Sequence, residues 1–275
     1  MMVQTGVADI VIAGGAESMS NVEYYSTDIR RGAHFGSKTF HDRLTRGRTM
    51  SQPIQRFGVI SGMIETAENL AKDYNINREA SDEYALMSHQ RAAAAWAAGK
   101  FDKELVQVLV PQLRGSSIMF TTDEGVRKNA TLEGLANLRP LEQGVVTAGN
   151  ASQQNDAAAA CLVVAEEKLK ELGMEAMGYL VGWAAAGCEP SRMGIGPVPA
   201  VERLFVRTGL GWEDIDLVEL NEAFASQVLA VLKGWRWDDR DKLNVNGSGI
   251  SLGHPVGATG VRMLASLLYE MQRRD

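Results

Sequence analysis

The 275-residue chain is 45% hydrophobic and 23% charged, an ordinary globular balance that argues against disorder and allows one large domain or two smaller ones. A net charge of −6 argues against a general nucleic-acid binder but still permits a local basic site for a phosphate-bearing ligand. No apolar run approaches the roughly 18 residues of a membrane helix, and Cys161 and Cys188, with neither CxxC spacing nor a nearby histidine pair, indicate no metal site and no disulfide framework.

Residues 1–6 lack the basic region and apolar core of a signal peptide, so a reducing, cytoplasmic setting is expected. They read as the tail of a helix capped by Gly6. A buried-type strand follows at 8–13, closed by Gly14-Gly15. Residues 21–62 are basic, rich in glycine and arginine, and irregular. Helices are predicted at 65–74 and 78–99, the second starting after an Asn77 cap and ending at Gly99. Short strands are predicted at 105–110 and 145–147 and a longer one at 158–164. A charged helix at 165–172 is stopped by Gly173. Then come a strand at 179–186, a helix at 199–208, a strand at 217–220, a helix at 224–233, a strand and glycine turn at 243–252, and an amphipathic helix at 260–273. Strands and helices alternating at this spacing imply a layered α/β fold.

Three segments carry candidate chemistry. Residues 246–260, Asn-Gly-Ser-Gly-Ile-Ser-Leu-Gly-His-Pro-Val-Gly-Ala-Thr-Gly, hold five glycines, more than strand packing explains. His254 sits between Gly253 and Pro255 in a constrained turn ahead of a helix. It caps that turn, fills a surface notch, or serves as an acid/base near neutral pH. Residues 219–225, Glu-Leu-Asn-Glu-Ala-Phe-Ala, place Asn221 and Glu222 after an apolar strand, where open α/β sheets bind ligands; helix capping is the other use of such residues. Residues 147–156, rich in small and amide side chains, form either a polar loop or a ligand-contacting one.

Together these segments resemble the thiolase family. So do Gly14-Gly15-Ala16-Glu17-Ser18-Met19-Ser20, Thr66-Ala67-Glu68-Asn69 and the run from Met193 to Ala200, all in the family's order. Gly62 before Met63 and Ala157 depart from common family choices. The resemblance implies a layered α-β-α-β-α fold of two similar halves plus a loop domain. Residues 1–25 and 155–175 would belong to the first half, 26–154 to the loop domain and 176–275 to the second half. It implies an acyltransferase that cleaves 3-oxoacyl-CoA by thiolysis or runs the reverse Claisen condensation, small substrates such as acetoacetyl-CoA being the first expectation. His254 and Asn221 would be catalytic: His254 to activate a cysteine and bind the thioester oxygen, Asn221 to hold a water at that oxygen. Ser152, Ala148, Met63, Arg127, Phe224 and Gly253 would contact coenzyme A or the acyl chain. No cofactor is expected, coenzyme A being substrate and product. The partners implied are acyl-CoA, CoA and a second copy of the chain, in a homodimer or homotetramer, with no membrane or nucleic acid. The resemblance also implies that both catalytic cysteines of the family fall outside these residues. One belongs before the strand ending in Gly14-Gly15, the other beyond the last helix. On that reading the chain is truncated at both ends and inactive alone; the alternative is a non-catalytic CoA-binding or subunit-pairing protein.

Overall fold

The computed structural model describes residues 1–274. The chain opens as a helix end: the Val7 N–H reaches the Met2 carbonyl at 2.9 Å and the Gly6 N–H reaches Val3 at 3.1 Å, with Gly6 at φ 69°. These are the two bonds of a glycine-terminated helix. Strand β1 (Ile10–Ser18) runs on through Gly14-Gly15, past the predicted end, because β6 (Asp156–Val164) supplies an antiparallel partner along its whole length. Ile10 lies opposite Val164, and Ser18 lies opposite Asp156.

Between these strands the chain forms β2 (Tyr24–Tyr25) paired with β3 (His41–Asp42), α1 (Arg43–Thr49), α2 (Ile54–Phe57), α3 (Met63–Asp73), α4 (Arg78–Ala97), the hairpin β4 (Val108–Val110) and β5 (Ile118–Phe120), and α5 (Leu132–Ala136). After β6 come α6 (Glu166–Glu171), α7 (Pro197–Thr208), α8 (Ala225–Trp235), the single turn α9 (Gly249–Leu252) and α10 (Val256–Arg274).

Burial explains this arrangement. Helix α8 is apolar around most of its circumference and buries Ala225, Val228, Ala230, Val231 and Leu232, as a helix enclosed on several sides must. It packs against α3, which offers Ala67, Leu70 and Ala71, and against α4. Helix α4 presents Ser81, Ala85, Ser88, Ala92 and Ala95, all buried at three- and four-residue spacing. That narrow stripe lets α8 and the glycine-rich segment approach closely. Tyr84, Leu220, Leu243 and Ile250 complete the main core. Helix α10 lies on one face of the β1–β6 pair.

Four strand expectations fail. Residues 179–186 form no strand: Tyr179, Leu180 and Val181 are exposed, and none of 178–188 pairs with a neighbour among the described residues. Residues 217–220 and 243 form only one parallel bridge, Val218 with Leu243. Residues 145–147 form one bridge, Thr147 with Pro140. Alternation marks an extended segment, but a strand exists only where a second backbone accepts its hydrogen bonds.

Candidate active site

The Asn221 segment is held by side chains where a sheet would use backbone. Asn244 accepts the Leu220 N–H at 2.8 Å and donates to the Leu220 carbonyl at 2.8 Å. Glu222, fully buried, accepts from Ser88 Oγ at 2.6 Å, Tyr84 OH at 3.0 Å, Asn244 Nδ2 at 3.0 Å and the Ile250 N–H at 3.2 Å. Burial raises its carboxyl pKa, and these donors oppose that rise. Glu222 therefore ties the segment to α4 and to the glycine-rich loop. Neither it nor Asn221 caps α8, whose cap position is Phe224 without a side-chain bond. The capping alternative for these two residues is thus corrected.

The amide-rich segment threads between the other two. Ala151 bridges Phe224, with the Ser152 N–H on the Ala223 carbonyl and the Ala225 N–H on the Asn150 carbonyl, both at 2.9 Å. Asn150 is locked by Asp82 at 2.8 Å, by the Val145 carbonyl and by the Thr147 N–H. Gln153 donates to the Gly125 carbonyl at 2.9 Å. Asn155 Oδ1 then accepts the His254 N–H at 3.0 Å.

His254 is thereby placed against Asn221: its Nε2 lies 3.3 Å from Asn221 Nδ2. Its Nδ1 lies 2.8 Å from Thr259 Oγ1, and the Thr259 hydroxyl donates to the Pro255 carbonyl at 2.8 Å. With that hydroxyl proton engaged, Thr259 accepts from Nδ1–H. The Nε2 lone pair then faces the Asn221 amide, and all three contacts are satisfied together. The ring's pKa is lowered, first by burial and then by the Arg262 charge, while Glu17 acts the other way. The imidazole is therefore neutral at pH 7, a base at Nε2. Asn221 Oδ1 is buried and has no protein partner. Gly253 has φ 101°, and a side chain there would meet the Asn155 amide; only glycine fits.

The remaining predicted residues lie in several other segments. Met63 opens α3, and Phe224 packs against the buried cluster of Ala67, Val146 and Ala151. Ala148 lies in the loop locked by Asn150. Arg127 donates its backbone N–H to His89 Nδ1 at 3.2 Å, and its guanidinium forms no salt bridge among the described residues. Cys161 sits in β6 opposite Ala13. Cys188 donates to the Met193 carbonyl at 3.6 Å, and burial raises its thiol pKa. Neither cysteine bonds His254. Sequence reasoning missed Thr259 and Asn155. Thr259 lies one helical turn beyond the histidine and was readable as a partner only once that turn's geometry was known.

Matches to known families cover nearly the whole chain. The family Thiolase, N-terminal domain, matches residues 1–167 and the family Thiolase, C-terminal domain, matches residues 174–275. The chain belongs to the thiolase family. This thiolase chain is 48% identical over 272 residues to an acetyl-CoA acetyltransferase of Chromobacterium violaceum, covering 98% of this chain and 68% of that protein. It is 45% identical to a probable acetyl-CoA acetyltransferase of Escherichia coli, covering 99% and 68%. Its structure superposes on the Bacillus anthracis acetyl-CoA acetyltransferase with a TM-score of 0.92 at 42% identity, covering all of this chain and 68% of that one. It superposes on human mitochondrial 3-ketoacyl-CoA thiolase in complex with CoA with a TM-score of 0.90 at 41% identity, covering 99% and 67%. The thiolase fold and membership of an acyltransferase family are thus established. No helix among the described residues is long and apolar enough to cross a membrane.

Proposed function

We propose that this chain carries the thioester-activating part of a thiolase site for 3-oxoacyl-CoA, with acetoacetyl-CoA as the first substrate to test. The observation that carries the reading is the His254 Nε2–Asn221 pair around a neutral imidazole. In thiolysis a cysteine thiolate adds to the 3-oxo carbon. The bond between C2 and C3 then breaks, and an acetyl-CoA enolate departs with its charge on the thioester oxygen. Protonation at C2 completes that half, and the acyl group passes from sulfur to the thiol of a second coenzyme A. His254 Nε2 accepts the cysteine proton and then, as N–H, donates to the developing oxyanion. The Asn221 amide orients the second donor there, a water. Donors fixed before the charge develops lower the barrier most effectively. Met63, Ala148, Ser152, Gly253 and Phe224 line the pantetheine path, and the unpaired Arg127 guanidinium suits the nucleotide phosphates.

The surroundings of Cys161 and Cys188 support placing the nucleophile outside these residues. The 275-residue chain alone is then inactive in thiolysis, because covalent catalysis without its nucleophile loses on the order of a millionfold in rate. The intact His254–Asn221 pair favours this reading over a non-catalytic CoA-binding role. The test compares thiolysis of acetoacetyl-CoA by this chain with that by a version carrying the family's cysteine segments, each with and without His254→Asn. Turnover is expected only in the extended parent. Comparable turnover by the short chain, or an acetyl adduct on Cys161 or Cys188, overturns the assignment.

A further inference from the structure

The motif Gly14-Gly15-Ala16-Glu17-Ser18-Met19-Ser20 forms the end of β1 and the turn after it. The face of β1 that carries Val11, Ala13, Gly15 and Glu17 is the half-buried one, and α10 packs against this strand. There the two backbones nearly touch. A side chain at Gly15 would overlap the Gly257 carbonyl, and one at Gly257 would meet the Ala16 carbonyl at 2.6 Å. Glu17 uses this approach: its Oε2 accepts the Gly257 N–H at 3.0 Å. That donor belongs to the first turn of α10, where no intrahelical acceptor is available to it. Three residues earlier, Asn155 accepts the His254 N–H. Glu17 and Asn155 stand at the same end of the β1–β6 pair, Glu17 lying opposite Ala157. The turn from His254 to Gly257 is therefore gripped at both of its ends by side chains from one sheet end.

We propose that Glu17 is a positioning residue for His254, acting with Asn155 as a two-point clamp on the turn that carries the imidazole. The proposal rests on the reading that His254 works on a thioester. It adds that the catalytic ring is aimed from a strand some 240 residues away in sequence, and not by its own loop alone. Two charged groups act on the ring: Glu17 from β1 and Arg262 from α10. Its other polar neighbours, Asn221, Asn155 and Thr259, are neutral. The Glu17 carboxylate favours the imidazolium and Arg262 disfavours it, so the clamp also offsets part of the arginine's effect.

The test uses the 275-residue chain and needs no turnover. The His254 imidazole signal is assigned by its loss in His254→Asn, and its titration midpoint is followed by NMR together with hydrogen exchange of the Gly257 amide. Glu17→Gln keeps the acceptor and removes the charge. It should lower the midpoint by on the order of half a pH unit while the Gly257 amide stays protected. Glu17→Ala removes both, and Gly257 exchange should rise about tenfold or more. An unmoved or raised midpoint in both variants overturns the proposal, as does unchanged Gly257 protection in Glu17→Ala. Circular dichroism confirms folding of each variant, and Glu17→Gln is the near-isosteric check should Glu17→Ala fail to fold. Loss of the thiolase reading shows elsewhere, as full activity of an extended chain with His254→Asn, whatever the midpoint does.

Discussion

Glu219 lies two residues before Asn221 with its side chain only 7% exposed. Its Oε2 stands 3.7 Å from Arg262 Nη1, and neither atom has a hydrogen-bond partner. Burial raises the carboxyl to about 8; Arg262 opposes the rise, while Glu222, Glu104 and Glu270 add to it. Because the folded-state pKa exceeds the usual 4.5, the folded chain holds a proton that the unfolded chain releases first. The stabilisation is complete below pH 4.5 and is lost as pH rises towards 8. Glu219→Gln mimics the protonated acid. It should match the parent at pH 4.5 and exceed it by about 2–4 kcal/mol at pH 8, read from urea unfolding at the two pH values. An equal pH slope in both proteins would show that Glu219 ionises freely in the fold.

Helix α4 shows what a single element reveals of itself. Asn77 Oδ1 accepts the Ala80 N–H at 2.9 Å, and Gly99 turns the chain at φ 67° with the Lys100 N–H on the Ala95 carbonyl at 3.0 Å. Both ends were legible, because caps are local chemistry. Asn77→Ala should destabilise the fold by about 1 kcal/mol and Asn77→Asp by much less, as a shift in denaturant midpoint. No change in either would mean that packing against α8 alone sets the helix start. The buried face was not legible. Beside Tyr84 it is mostly serines, alanines and the polar Asp82 and His89, selected by how closely α8 and the glycine loop approach and carrying little hydrophobic contrast. Residues 179–186 show the converse, an apolar run whose strand reading failed for want of a neighbouring backbone.

Across the molecule, α10 covers one face of the β1–β6 pair and leaves the other open. Ile12 and Leu162 lie directly opposite each other on the open face, 77% and 58% exposed. Apolar side chains on an uncapped two-stranded sheet favour association. Replacing the pair by Ile12→Lys with Leu162→Glu keeps a favourable cross-strand contact and should lower light scattering of the 275-residue chain at raised concentration. Equal scattering by parent and variant would exonerate this face.

The sequence by itself determined the glycine-rich turn around His254, the Asn221 and Asn155 segments, the caps of α4 and the family to which the chain belongs. Each of these is written in neighbouring residues or in a short fixed spacing. Only the tertiary structure decided that Asn221 meets His254 across 33 residues, that Glu222 binds four donors from three segments, and that Glu17 reaches Gly257. The physical reason is that a hydrogen bond depends on position in space. A buried carboxylate or amide takes whichever donors the packing delivers, and periodicity along the chain carries no trace of which strand end or helix will supply them.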